Sequence, residues 1–304
     1  MKNKGSKFRK RLLTGILTAV LILPSLPLLN GCKTNFFYDK ANKYSHGDAS
    51  FSSESVEYID VDWFNGRVEM LFTADSDADI SISESSSRKL DEETSLHYWL
   101  DGTVLRIRYA ASGKINLGKH EKTLTVILPA DKSLMHANVN SESANIVMQD
   151  ARAQSLSVST LAGNVTLNGL RVSNNVTVST RGGSISGNVA TACDVLSINT
   201  TSGSISFSTD AKVKELYVET IKGNVFLSNL TTAKNAKITS VSGTVSLEFL
   251  DNSGFSLTYS TFMGNLDTEM KFLLDGKKYV YGTPSSEFAV STTTGDLIIF
   301  SIPT

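Results

Sequence analysis

From about residue 51 onward, apolar and polar side chains alternate with a period of two rather than 3.6. Stretches such as "VEYIDVDW", "RVEMLF", "LRIRYA" and "LTVILP" put apolar groups on one face of an extended strand and polar groups on the other. β-Branched residues, Ser and Thr crowd these stretches, turn residues separate them, and helix signals nearly vanish. The pattern predicts an all-β protein.

A longer period lies over the short one. Gly163, Gly183, Gly203, Gly223 and Gly243 are spaced 20 apart, Gly264 follows at 21 and Gly295 at 31, and Ala144 takes the same place 19 residues before Gly163. Seven residues before these positions stand Leu156, Val176, Leu196, Leu216 and Ala236; five before are Val158, Val178, Ile198, Val218 and Ile238. Two after are Val165, Ile185, Ile205, Val225 and Val245, and three before are Thr160, Thr180, Thr200, Thr220 and Ser240. The motif is L-x-V-x-T-x-x-G-x-V-x-L, a repeat too short to bury its own apolar face. Stacked on its neighbours, each column residue gains about 1.5–3 kcal/mol over exposure.

The glycine is expected to turn a corner at positive φ, where a Cβ would clash. The Thr column and the Asn, Ser, Thr or Asp after each glycine are expected to form hydrogen-bonded ladders there. The favoured architecture is a parallel β-solenoid with one coil per 20 residues. Because T-x-x-G also closes a three-residue hairpin loop, an antiparallel β-sandwich or hairpin array stays open as the alternative. Residues 51–304 read as one β-repeat domain, with irregular N-terminal coils over 51–135 and regular repeats over 136–300. Ile59, Val61, Gly66, Val68 and Met70 already fit the columns. "FLLDGKKYVYGTP", with a turn at Asp275-Gly276, reads as a cap at the far end.

The amino terminus changes the picture of where the chain works. "MKNKGSKFRKR" is basic, "LLTGILTAVLIL" is an apolar run too short to span a bilayer, and prolines 24 and 27 follow, so 1–31 read as a signal peptide. Leu29-Asn30-Gly31-Cys32 resembles the lipobox of bacterial lipoproteins, which makes Cys32 the expected lipid-attachment residue. Acyl chains at about 0.8 kcal/mol per buried methylene would hold the protein at the extracytoplasmic face of the cell membrane. Residues 32–50 are expected to form a flexible tether, with Phe36, Phe37 and Tyr38 resting among headgroups or forming a first strand. Of 29 basic residues six fall within the first eleven, leaving 23 against 30 acidic ones. An acidic exported body is not expected to bind nucleic acid. With Cys32 lipidated only Cys193 remains, so no intramolecular disulfide forms and Cys193 is read as filler of an apolar gap.

Motifs of catalysis fail on inspection. Gly113 to Lys119 approaches a P-loop, but His120 replaces the Mg²⁺-binding hydroxyl. Asp75, Asp77 and Asp79 open like a calcium loop, yet Ile80 and Ser86 stand where Gly and Glu belong. His46, His97, His120 and His136 lack metal spacing, and "GSISG" at 183–187 centres on the core residue Ile185. Glu142, Asp150, Asp194, Asp210, Glu215, Glu219 and Glu248 occupy different columns and are not expected to converge as a glycosidase pair would. No cofactor is expected.

"FAVSTTTGDLIIF" at the end and "LTVILPADKSL" ahead of the repeats resemble the bacterial "putative adhesin" family of unknown function, over roughly residues 55 to 300. The resemblance implies a cell-envelope protein of repeated strands, some of whose members accompany envelope-stress genes. It carries no catalytic residues over. The expected function is a non-catalytic, adhesin-like surface module binding envelope or host polysaccharide. The alternatives are an envelope-stress scaffold contacting a membrane protein, and a polysaccharide-active β-helix enzyme.

Overall fold

The computed structural model describes residues 36–75, 78–113, 121–230, 233–250 and 254–302. Among them there is no α-helix; two short 3-10 turns, Ala41–Lys43 and Ser53–Ser55, interrupt a chain of strands. The repeat is a parallel coil. Strand Cys193–Ser202 lies beside Val213–Lys222 with Leu196 opposite Leu216, Ile198 opposite Val218 and Thr200 opposite Thr220. Val213–Lys222 lies in the same register beside Ala233–Ser242. The strands after the glycines do likewise, Ile205 facing Val225 and Val225 facing Val245. Each coil thus gives one strand to each of two sheets, joined at the T-x-x-G corner. Hairpins would have paired these strands antiparallel, so the alternative architecture is excluded in the repeats. Strand Val165–Thr180 runs through both sheets. The columns fill the interior, with Leu196, Ile198, Ile205 and Phe207 all buried.

The corners explain the Thr and the Gly. Thr180 Oγ1 donates to the Gly163 carbonyl of the previous coil at 3.2 Å and accepts from the Gly183 amide of its own at 3.0 Å. Asn164 Oδ1 accepts from the Ser184 amide at 2.9 Å, and Asn224 Oδ1 from the Thr244 amide at 3.0 Å. The expected ladders are present. The expected reason for the glycine needs correction, because Gly183 and Gly203 do not adopt the left-handed φ that Gly223 (+145°) and Gly243 (+137°) do. What the column shares is close approach: a Cβ on Gly183 would collide with the Gly163 carbonyl, and one on Gly203 with the Gly183 carbonyl. The later corners are built differently. The Gly203 and Gly223 amides donate to Lys222 and Ser242 carbonyls of the next coil, which leaves the buried Thr220 hydroxyl without a hydrogen-bond partner among the described residues.

Sequence order and stacking order part company at both ends. Tyr58–Trp63 lies between Leu134–Ser141 and Val104–Arg108, and Gly66–Thr73 between Asn145–Gln149 and Lys122–Pro129. Likewise Ser286–Thr292 lies between Ala233–Ser242 and Phe255–Thr261, and Leu297–Ile302 between Val245–Leu250 and Leu266–Thr268. The coil written last is therefore stacked next to last. The 31-residue gap before Gly295 contains the hairpin Leu273–Asp275/Lys278–Tyr281, which pairs antiparallel onto Phe255–Thr258. At the other end His97–Asp101 and Ile80–Ser86 add antiparallel strands.

The expected tether is corrected from Phe36 on. Phe36 is buried and bridges to Gly113; Ser45–His46 pairs with His97–Tyr98, and Ala49–Phe51 with Ile80–Ile82. Composition concealed this, because the segment is held by ring contacts, Phe36–Tyr38 at 5.7 Å and Tyr38–Tyr44 at 4.6 Å, and by covering open strand edges. Phe37 alone of that aromatic run stays exposed.

A buried cation lies in the N-terminal layers. The Lys122 ammonium, inaccessible to solvent, meets Glu84 at 2.8 Å, donates to the Thr94 and Tyr109 carbonyls, and sits 4.1 Å from the Tyr109 ring centroid. Burial lowers its pKa to about 8 despite the opposing pull of Glu84.

Two predictions follow from these contacts. Thr180→Val should lose about 1–3 kcal/mol by stranding a buried amide, whereas Thr220→Val should be neutral or stabilising, as read by urea unfolding. Between pH 8 and the lysine's ordinary 10.5, the unfolded chain holds the Lys122 proton that the folded one has released. Stability should accordingly rise across that window. A Lys122→Met/Glu84→Gln double variant should flatten the slope in thermal melts, and an unchanged slope would remove Lys122 as its origin.

Candidate functional site

The parallel register that fixes the interior also fixes the exterior. On the sheet before the corners, Ser157, Thr177, Ser197, Tyr217 and Lys237 form one outward row, and Ser159, Ser179, Asn199, Glu219 and Thr239 a second. Successive members are one strand spacing apart, about 4.8 Å. The first three coils of each row are neutral hydroxyls and amides; charge and the exposed Tyr217 enter afterwards. On the second sheet the rows run Thr166, Ser186, Ser206, Phe226 and Ser246, and beside them Asn188, Ser208 and Ser228. Phe226 lies nearly parallel to Phe300, with ring centroids 6.4 Å apart.

Three carboxylates of the repeats are each engaged by a neighbour. Asp194 pairs with Lys214 at 2.5 Å, and Glu215 accepts from Asn235 at 2.8 Å. Asp210 accepts from Asn188 at 2.6 Å, Asn229 at 2.7 Å and Ser208. Partial burial would raise its pKa, but these hydrogen bonds outweigh it and hold the carboxyl below its ordinary value. A carboxylate so satisfied is a poor proton donor. The arrangement offers many shallow hydrogen-bonding groups at a fixed spacing, which suits contact with an extended ligand.

Cys32 and residues 114–120 of the near P-loop lie outside the described residues, as does Asp77 of the aspartate run. Among the described residues no group of three His, Cys, Asp or Glu is placed to hold a metal ion. One expectation about the histidines changes. His46 and His97, far apart in sequence, face each other across an antiparallel pair with ring centroids 6.0 Å apart, and His46 Nε2 stands 3.8 Å from Glu92. Burial lowers the His97 pKa. Ile185 is a core residue, and Cys193 is buried, its thiol pushed up to about 11 chiefly by burial.

Sequence reasoning missed an ionic cluster beneath the N-terminal layers. Asp60 meets Arg108 at 2.6 Å and Arg106 at 3.4 Å and accepts from Asn138 at 2.8 Å. Burial opposes its ionisation, but Arg108 foremost holds its pKa below the usual carboxylate value. "LRIR" signalled the strand, yet a partner about fifty residues distant carries no local mark. At the opposite end a groove of about 670 Å³ is lined by Asp267, Glu269, Met270, Lys271, Tyr281 and Phe300 among others.

None of the curated proteins matches the chain. Among solved structures it is similar to a "putative adhesin" from Bacteroides fragilis, 12% identical, covering 86% of this chain and 97% of that one with a TM-score of 0.45. It is similar also to a "putative adhesin" from Parabacteroides merdae, 14% identical over 86% and 96% of the two chains with a TM-score of 0.44. A "putative lipid binding protein" from Parabacteroides distasonis is 12% identical over 86% and 97%, with a TM-score of 0.39. Residues 56–299 match the family described as Toastrack DUF4097, and with four fifths of its length so matched the chain belongs to that family.

Proposed function

We propose that the protein is a membrane-anchored extracytoplasmic lipoprotein that acts by binding an extended polar polymer, an envelope or host polysaccharide, without turning it over. The observation that carries the reading is the pair of outward rows Ser157–Thr177–Ser197 and Ser159–Ser179–Asn199, held in register by the parallel coils. A linear glycan presents hydroxyls at short regular intervals, and the coils present their partners at about 4.8 Å. Individual contacts of this kind are weak, and repetition along one polymer supplies the affinity. Binding rather than hydrolysis is supported by Asp194, Glu215 and Asp210, three carboxylates of the repeats that are each tied to a neighbour. Attachment through Cys32 is supported by the basic head, the apolar run and the lipobox-like Leu29-Asn30-Gly31-Cys32.

Two outcomes test this. Full-length protein should be retained on insoluble peptidoglycan or an immobilised polysaccharide, and Ser157→Ala/Thr177→Ala/Ser197→Ala should weaken retention at least about tenfold, given about 0.5–1.5 kcal/mol per lost hydrogen bond. Equal retention by a normally folded triple variant would reject this face. Separately, Cys32→Ser should abolish incorporation of an alkyne palmitate analogue in cells; persistent labelling would reject the anchor while leaving the binding face untouched.

A further inference from the structure

The strand Ser45–His46 is two residues long and carries one of a pair of histidines. It pairs antiparallel with His97–Asp101, which sets the His46 and His97 rings 6.0 Å apart between centroids. Beside it the Gly47 amide donates to the Leu96 carbonyl at 3.0 Å, and the Tyr44 ring meets Trp99 at 5.7 Å. The chain is fastened independently on either side. Phe36 and Gly113 exchange two backbone hydrogen bonds, the Tyr38 hydroxyl donates to the Ala110 carbonyl at 3.1 Å, and Ala49–Phe51 pairs with Ile80–Ser86. Residues 44–47 are thus a short strap along the edge of His97–Asp101, held at both ends by contacts that involve no histidine.

The two imidazoles differ in their surroundings. His46 lies open, its Nε2 3.8 Å from the exposed Glu92, whereas His97 is buried. Nδ1 of His97 stands 3.0 Å from the Ser95 carbonyl. A carbonyl can only accept, so Nδ1 carries the hydrogen of the neutral ring and a second proton goes to Nε2. The charges facing His97 come from three elements: His46 from the strap, Lys122 from the strand Lys122–Pro129, and Glu92 from the turn before Ser95. Lys122 is itself met by Glu84 at 2.8 Å, and the Glu84 amide donates to Asp48 at 3.0 Å. Arg108, the cross-strand partner of His97, is turned to Asp60 at 2.6 Å.

A proton on His97 is disfavoured first by burial and then by His46 and Lys122, while the Ser95 carbonyl and Glu92 favour it. The first group prevails and the pKa is lowered. Lifting the strap rehydrates the ring and carries His46 away, so the open form takes up a proton that the closed form refuses. Stability of the closed form is therefore full above the ordinary histidine range, about 6.5, and is lost as pH falls below it.

We propose that the facing His46 and His97 form an acid-operated latch, in which protonation of His97 releases residues 44–47 from the edge of His97–Asp101 while the attachments on either side hold. Neither the acyl anchor nor polymer binding is involved. Hydrogen exchange of the full-length protein, read by mass spectrometry and corrected for the intrinsic pH dependence of exchange, tests the latch. Between pH 7.5 and 5.5 the protection of the Ser45, His46 and Gly47 amides should fall about threefold or more, against a ceiling of about tenfold per pH unit for one proton. Protection of Val213–Lys222 should stay unchanged over the same range. His97→Gln should abolish the fall. In the wild-type protein the midpoint of the fall should coincide with the titration of the His97 ring followed by NMR, a comparison that stands even where His97→Gln folds poorly. Four results would overturn the proposal: unchanged protection at residues 45–47, an equal loss over Val213–Lys222, an undiminished fall in His97→Gln, or midpoints more than about one pH unit apart.

Discussion

The contact on which the stack depends is backbone against backbone at the corner. Where the chain passes from one sheet to the other, the carbonyl of one coil's glycine occupies the space in which a Cβ of the next would stand. From Gly163 to Gly243 the coils close to a β-sheet spacing on both sides because that atom is missing. Threonine then ties the corner in the early repeats, bonding to the previous coil's carbonyl and to its own glycine amide. In the later repeats the glycine amide itself joins the parallel ladder, and the buried Thr220 hydroxyl is left without a partner among the described residues. One sequence motif thus supports two corner geometries. The residue types are shared because the space is shared, while the hydrogen bonds are redistributed.

A stack of parallel coils has two open ends, and this protein treats them alike. At each end the outermost layer is sealed by antiparallel strands, and the terminal coil of the chain is threaded one layer inward. At the C-terminal end this places Phe249, Phe255 and Phe288 face to face or edge to face, with centroids 3.9–5.7 Å apart. Aromatic rings replace the aliphatic column where no further coil remains to fill the interior, and each buries more area than the leucine it replaces. At the N-terminal end the same need is met by Trp63 and Tyr109, at 5.0 Å, around the ammonium of Lys122. A buried lysine is a costly filler, retained here because a carboxylate, two carbonyls and two rings surround it.

What could be read beforehand follows from where information is repeated. The columns, the period and the corner ladders are written eight times, and the parallel coil was legible from them. The stacking order was not. Leu257 and Phe288 occupy the same column and obey the same motif, so nothing local distinguishes the coil that caps from the coil that inserts. The segment from Phe36 to Ser50 departs from the expected tether because its rings do their work through distant partners at Gly113 and Trp99. The Asp60 cluster and the His46–His97 pair were hidden for the same reason. Chemistry assembled by strand pairing over fifty residues leaves no mark on composition.

The same logic separates the two kinds of exterior. A side chain on a sheet face inherits the coil spacing, so any row of like residues is periodic whether or not a ligand demands it. The rows keep one chemistry only from Ser157 to Ser197 and from Ser159 to Asn199; beyond these the bulky Tyr217 and the charged Glu219 and Lys237 change them. A side chain at the end of the stack inherits no such spacing. Leu273 and Leu274 are consecutive residues of one strand, pointing to opposite faces, and both are open to solvent because nothing is stacked beyond them. Periodic polar rows on the sides and aperiodic apolar exposure at the end are therefore consequences of one geometry.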